Sequence, residues 1–350
     1  VAEPATAAPS WRSVLRSLIA GEDQPRDSTA WAMGRILAGE ATSAQIAAFV
    51  VALRCKGETV DELTGMADGM LEFATPISVP GRSVDVVGSG ADKANTVNIS
   101  TMAAVVAAAA GARVVKHGNR AATSACGAAD LLEELGVVLT LTPAQQVRVI
   151  DQVGIGFLFA SHYHPALRHA GATRSELGVP TTFNFLGPLA NPARPAAQAV
   201  GVADPRMAEL MAGVFAGRGN RGLVFHGGDG LDELTTTTTS TVWVFADGEV
   251  TTTTLDPADL GLPRSRVTDL VGADAAHNAE VARRVFGGEP GPVRDIVLLN
   301  TAATLAAWDG PRADDLTGQL GGALERAAAA LDDGSAAALL DRWVAATRAV

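Results

Sequence analysis

The sequence predicts an α/β protein, with a small N-terminal helical domain and a large α/β domain built on a mainly parallel central sheet. Three observations carry that prediction. From Trp11 to Ala74 every pattern is helical, and Thr42-x-x-Gln45 and Thr59-x-x-Glu62 are capping-box starts. From Ser83 onward short β-branched runs alternate with helical segments, which implies parallel strands joined by crossover helices and covered on both faces. Two successive strands end in glycine-bearing turns that open helices. In that geometry amide donors and the helix dipole bind anions.

Taken in order, residues 1–10, rich in Ala and Pro, are expected to be a disordered tail. Residues 11–78 form the helical domain, in segments separated by Gly21, Gly39 and Gly57, and residues 79–350 form the α/β domain. The alternation reads strand Ser83–Val87, helix Ser100–Ala110, strand Arg113–Lys116, helix Gly127–Leu135 and strand Val137–Leu141. Thr142-Pro143-x-Gln145 then starts a helix to Val153, and strand Ile155–Ala160 follows. Regularity lapses between Arg174 and Pro195 in VPTTFNFLGPLANPARP, which predicts that part of 174–197 crosses back to join the helical domain. Strand Ala197–Val202, helix Pro205–Phe215 and strand Leu223–Phe225 resume the pattern. Thr235–Leu255, including its threonine run, reads as a hairpin turning at Asp247-Gly248. The remainder is helical, broken at Gly287-Gly288, Asp309-Gly310 and Asp333-Gly334.

Composition narrows the function. Hydrophobic residues make up 47% of the 350 and charged residues 19%, enough for a full core. A formal charge of −11 disfavours nucleic acid and anionic membrane as general partners, so a phosphate ligand needs local donors and a metal ion. The two cysteines, Cys55 and Cys126, have no metal-ligand spacing, and VAEPATAAPS lacks a signal-peptide pattern; both predict a soluble cytoplasmic protein.

The first glycine turn, Gly88-Ser89-Gly90-Ala91-Asp92, leads to Asn98-Ile99-Ser100-Thr101 at a helix start. It completes neither G-x-G-x-x-G nor a G-K-[ST] loop. The second turn reads Lys116-His117-Gly118-Asn119-Arg120-Ala121-Ala122-Thr123-Ser124 and supplies two bases, an amide and two hydroxyls. Both belong at the carboxyl edge of the sheet, where α/β proteins bind ligands. Asp232-Glu233, on a glycine-led loop after a strand, serve with Ser100 as oxygen ligands for Mg²⁺, or else as an acidic pair at a helix N-terminus. Arg174, beside the crossing segment, suits a bidentate carboxylate clamp. No G-x-S-x-G, H-E-x-x-H or cysteine–histidine signature is present.

Assembled in order, these stretches resemble the anthranilate phosphoribosyltransferase family of nucleoside-phosphorylase-like phosphoribosyltransferases. The resemblance rests on DVVGSGAD (85–92), Asn98–Thr101, Lys116–Arg120, His164-Pro165-Ala166, Phe183–Pro192 and Gly230–Glu233, and it spans Trp11 to the C-terminus. It implies transfer of a phosphoribosyl group from phosphoribosyl pyrophosphate to the amine of anthranilate, with release of pyrophosphate, in tryptophan biosynthesis. The implied donor-binding residues are Gly88, Gly90, Ala91, Asp92, Thr96, Asn98, Ile99, Ser100, Thr101, Lys116, Gly118, Asn119, Arg120, Thr123 and Ser124. Gly88, Asn119 and Arg174 would hold anthranilate, and Ser100, Asp232 and Glu233 would ligate Mg²⁺. A homodimer through the helical domain is also implied.

An arylamine is already nucleophilic, so placement and electrostatics suffice and no catalytic base is assigned. Departures from the family pattern are Ser89, Ala91, Thr123 and Ala128; none removes a charge or an implied metal ligand. The competing readings are a pyrimidine nucleoside phosphorylase, separable by Mg²⁺ dependence, and a non-catalytic nucleic-acid-binding relative, which would need a basic groove.

Overall fold

The computed structural model describes residues 8–90, 92–121 and 125–350, so Ala91, Thr123, Ser124 and most of the expected tail lie outside the described residues. Four helices come first: α1 (Trp11–Ile19), α2 (Arg26–Leu37), α3 (Ser43–Lys56) and α4 (Val60–Glu72). Then follow β1 (Val84–Gly88), α5 (Ile99–Ala109), β2 (Val114–Gly118), α6 (Ala128–Glu134), α7 (Pro143–Val153) and β3 (Ile155–Phe159). Short helices α8 (Ala160–Tyr163), α9 (Arg168–Leu177) and α10 (Leu186–Leu189) precede β4 (Ala197–Gly201), α11 (Pro205–Gly217) and β5 (Arg221–Gly227). The hairpin β6 (Ser240–Ala246) and β7 (Glu249–Leu255) leads to α12 (Ala275–Phe286), α13 (Pro292–Asp309), α14 (Leu316–Asp332) and α15 (Ser335–Ala349).

The chain divides into two compact units. Among the described residues, the helical unit comprises 8–74 and the returning segment His164–Leu186. That return begins earlier than the 174–197 window expected from lost regularity, because α9 is itself a helix that packs on α3. Thr42 and Thr59 close the expected capping boxes, each accepting a backbone N–H from Gln45 or Glu62. Gly65 and Gly69 lie one turn apart on α4 and let α2 approach. A β-carbon at Gly65 would sit 2.1 Å from the Arg26 carbonyl oxygen.

The second unit, Thr75–Tyr163 with Gly187–Val350, holds a seven-stranded sheet in the order β3-β2-β1-β4-β5-β6-β7. Strands β1 to β5 pair in parallel, and β6 and β7 add antiparallel at one edge. Strand order reverses direction between β1 and β4, so the topological switch point, where ligands bind in open α/β sheets, falls at the paired ends Gly88 and Gly201.

Side chains alternate across the sheet, as the pleat requires. Val84, Val86, Val114, Ile155, Phe157, Leu223 and Val242 join the main core with α5, α13, α14 and α15, whereas Val115 and Leu158 enter a smaller cluster with Ile150 and Tyr163. Helix α5 is apolar nearly all round because it is packed against α13, β1, α14 and α15. Deleting a buried side chain here, such as Leu299 of α13, would cost about 2–5 kcal/mol.

One expected strand is absent, and the expected hairpin begins five residues later than the start of its threonine run. Val137–Leu141 is irregular: the Val138 N–H donates to Thr347 Oγ1 of α15 at 3.2 Å, while β2 pairs directly with β3. The threonines at 235–239 form a loop, since Thr235 and Thr237 donate their hydroxyls to the Asp229 carboxylate, and Thr236 and Ser265 hydroxyls share a 2.6 Å hydrogen bond. High strand propensity loses there to side-chain hydrogen bonding. Among the described residues no helix is long and apolar enough to cross a membrane.

Candidate active site

The β1 run of valines ends at Gly88, and the chain turns through Gly90, whose φ of 74° favours glycine. The loop after β5 folds back over this turn. Gly90 donates its N–H to Asp232 Oδ2 at 2.6 Å, and a β-carbon at Gly88 would meet the same oxygen at 2.4 Å. The neighbouring carboxylate, Glu233, accepts the Ser100 N–H at the start of α5 at 3.2 Å. The acidic pair is thus buried against two of the amides that sequence reasoning assigned to anion binding.

Lys116, on the face of β2 that looks toward α5, is 2% exposed. Its Nζ donates to the Val86 carbonyl and to Ser100 Oγ, the latter at 3.2 Å. Burial pushes Lys116 down, opposed by Asp85, Glu233 and Asp232. Burial also pushes Asp232 up to about 7, helped by the charge of Asp92, and raises Glu233 well above the ordinary glutamate range, helped by Asp232. Ser100, Lys116, Asp232, Glu233 and Gly90 therefore converge.

Other predicted residues support this centre. Asn98 donates from Nδ2 to the Cys126 carbonyl at 3.0 Å and accepts at Oδ1 from Asn278 Nδ2 at 2.9 Å, so it links the two glycine loops. Thr96 forms an antiparallel bridge with Val271, and Ile99 and Thr101 are buried in the first turn of α5. Asp92 Oδ1 accepts the Ala94 N–H, an Asx turn within the loop. Gly118 ends β2 where a β-carbon would press on the Phe157 ring at 2.9 Å. Asn119 Oδ1 accepts from the Ser161 hydroxyl at 3.0 Å. Arg120 forms ion pairs with Asp130 (2.8 Å) and Glu133 (2.6 Å) of α6. Arg174 belongs to the helical unit, on α9, with its guanidinium 5.2 Å from the centre of the Phe183 ring; burial lowers its pKa.

Sequence reasoning missed several residues. Asp85 is fully buried on β1, accepting the His117 N–H at 3.1 Å and Asn191 Nδ2 at 2.8 Å, and burial pushes it up to about 6. Asn191 also donates to the Val115 carbonyl, and His117 Nδ1 pairs with the Gly187 carbonyl at 3.0 Å. Gly187 and Asn191 therefore brace β1 and β2 behind the site. The signal was a lone acid inside a β-branched run, a position expensive to occupy without partners.

The cluster suits a hard divalent cation. Asp92, Asp232 and Glu233 crowd one another, and burial with this mutual repulsion raises Asp232 and Glu233, a cost that a bound cation would offset. Among the described residues no group of three His, Cys, Asp or Glu side chains is poised for a metal. Two carboxylates and a hydroxyl form the partial oxygen set that Mg²⁺ takes when phosphate and water complete its octahedron.

A mainly parallel sheet with glycine loops, amide donors and an acidic pair at its switch point, in a chain that also carries a helical bundle, is the architecture of the glycosyl transferase family. Residues 80–337 match the glycosyl transferase family a/b domain, and residues 12–74 match its helical bundle domain. Over 97% of its length the chain is 59% identical to an anthranilate phosphoribosyltransferase from a Nocardioides species, covering 99% of that relative. The crystal structure of anthranilate phosphoribosyltransferase from Thermus thermophilus superposes with a TM-score of 0.89 at 40% identity, covering 96% of this chain and 99% of that one. The enzyme from Saccharomyces cerevisiae, solved in complex with phosphoribosyl pyrophosphate and Mg, shares the fold at a TM-score of 0.87 and 24% identity, over 97% of this chain and 98% of that one. The chain belongs to the anthranilate phosphoribosyltransferase family. The names of these relatives favour the transferase over the phosphorylase and nucleic-acid readings.

Proposed function

We propose that the chain transfers the phosphoribosyl group of phosphoribosyl pyrophosphate to the amine of anthranilate, with the carboxyl edge of its sheet as the donor site. The observation that carries this reading is the convergence of Gly90, Ser100, Lys116, Asp232 and Glu233 at the β1–β4 switch point. Pyrophosphate departure leaves an oxocarbenium-like sugar, so the site must favour charge on the leaving group. The Gly90 and Ser100 N–H groups, held here by Asp232 and Glu233, would turn to phosphate oxygens when the donor binds, with Lys116 close by at Ser100 Oγ.

Ser100, Asp232 and Glu233 would hold Mg²⁺, which supplies charge neutralisation to the pyrophosphate when bound. As the donor enters, Asp232 and Glu233 would give up these two N–H groups to phosphate and turn to the cation. On this reading Asn119 holds the amine of anthranilate and Arg174 its carboxylate, a pairing guanidinium geometry favours. Placement of the arylamine does the rest, with no side chain removing a proton before attack.

We also place the protein in the cytoplasm as a homodimer through its helical unit, which exposes Ile19, Val51 and Phe73. Light scattering tests the dimer. Loss of anthranilate fluorescence with phosphoribosyl pyrophosphate and Mg²⁺ tests the reaction: decay only with enzyme supports it, and unchanged fluorescence with folded enzyme opposes it.

A further inference from the structure

Asn300 is a carboxamide inside α13, where residues Ile296–Ala307 are all buried, and it has no exposed surface. A polar group so placed is unfavourable unless its hydrogen bonds are met. They are met chiefly by one residue of another segment. Asn300 Oδ1 accepts the Leu234 N–H at 2.9 Å, and Nδ2 donates to the Leu234 carbonyl at 2.9 Å and to Ile296 O, one turn back, at 2.9 Å. The side-chain amide pairs with Leu234 as a neighbouring strand would, directly beside Glu233.

A second brace grips the same loop. Asp229 accepts the Leu231 N–H at 3.2 Å through Oδ1, and through Oδ2 the hydroxyls of Thr235 (2.7 Å) and Thr237. Gly227 donates its N–H to Leu231 O at 2.9 Å, and Thr235 donates its N–H to Ser240 Oγ at 3.1 Å. The backbone on both sides of Asp232-Glu233 is thereby fixed before any ligand arrives.

We infer that Asn300, together with the Asp229–Thr235–Thr237 knot, is a positioning device for the acidic pair: it holds the loop so that both carboxylates present themselves to one divalent cation. The inference rests on the proposed Mg²⁺ role of Asp232 and Glu233. Neither brace is among the residues assigned here to the donor, to anthranilate or to Mg²⁺. A leucine at 300 would fill similar space yet leave the Leu234 N–H and carbonyl buried without partners, so the loop would relax toward other arrangements.

The test titrates Mn²⁺ into the intact protein at fixed inorganic pyrophosphate, with free Mn²⁺ read by electron paramagnetic resonance. Wild type should bind, and Glu233→Gln should lose binding. Asn300→Leu should bind about tenfold more weakly, as loss of an outer partner does at other metal sites. Thr237→Val should weaken binding in the same direction and by less. The Mg²⁺ concentration for half-maximal rate should rise in step, with KM for anthranilate unchanged.

Folded Asn300→Leu with wild-type Mn²⁺ affinity overturns the inference. If Asn300→Leu does not fold, Thr237→Val decides, and wild-type affinity there overturns it equally. Glu233→Gln with wild-type affinity instead sinks the underlying metal assignment, a result distinguishable from failure of the braces.

Discussion

Gly201 lies beneath the backbone of Asp232 so closely that a β-carbon at 201 would sit 1.7 Å from the Asp232 carbonyl oxygen. Gly88, its partner in the β1–β4 register, faces the Asp232 side chain in the same way. Two glycines at the ends of adjacent parallel strands thus form the floor on which the acidic loop rests.

Gly201→Ala should displace that loop. Since the clash is with backbone rather than a flexible side-chain tip, we expect about 1–3 kcal/mol of destabilisation and a raised Mg²⁺ requirement. Denaturant unfolding and Mg²⁺ titration of the rate check this; wild-type values for both would mean the loop lies elsewhere.

Asp85 should make stability pH-dependent. Its carboxyl is raised from 3.8 to about 6 by burial, so the folded state holds its proton more tightly than the unfolded state. Its contribution is fully present below about pH 4 and is lost as pH rises through about 6, by roughly 3 kcal/mol. Asp232, raised to about 7, adds a loss of the same sign in the metal-free protein. Asp85→Asn should flatten the fall in melting temperature between about pH 4.5 and pH 7.5. An unchanged slope would show that Asp85 is already ionised throughout.

Arg120, an expected donor-binding residue, is ion-paired with the acids of α6. Its pair with Glu133 is exposed, so Glu133→Gln should change stability by less than about 1 kcal/mol. It should also lower KM for phosphoribosyl pyrophosphate by releasing the guanidinium. Asp130 does more, since Oδ2 accepts the Ala121 and Gly127 N–H groups at 3.0 and 2.9 Å, and Asp130→Ala should cost about 1–2 kcal/mol. Unfolding curves and donor saturation of both variants separate the two roles.

Arg174→Ala should raise KM for anthranilate and leave that for phosphoribosyl pyrophosphate near wild type. Losing one charge-assisted pair corresponds to about a ten- to hundredfold drop in kcat/KM. Equal effects on both substrates would remove Arg174 from anthranilate recognition.

Much of this arrangement was legible in the chain, for reasons that differ by residue. The glycine turns, the α5 start and Lys116 announce themselves because special backbone geometry and buried charge restrict residue choice locally. The threonine run misled because propensity describes a half-buried pleat, whereas Asp229 captured the hydroxyls through contacts only folding creates. Asp85, Asn191, Asn278 and Asn300 stayed hidden for the same reason: each acts through partners distant in sequence, such as Asn300 on Leu234 and Asn278 on Asn98. Arg174 could be read as a carboxylate clamp, but its stacking on Phe183 could not.

The account stands on one cation and one diphosphate meeting at the β1–β4 switch point. The most direct measurement is a crystal structure with phosphoribosyl pyrophosphate and Mn²⁺, with the ion located by its anomalous signal. The account predicts a peak within coordination distance of Ser100 and the Asp232-Glu233 carboxylates, with the diphosphate against the Gly88–Gly90 turn. A peak remote from all three residues, with the donor still bound and ordered, would contradict it.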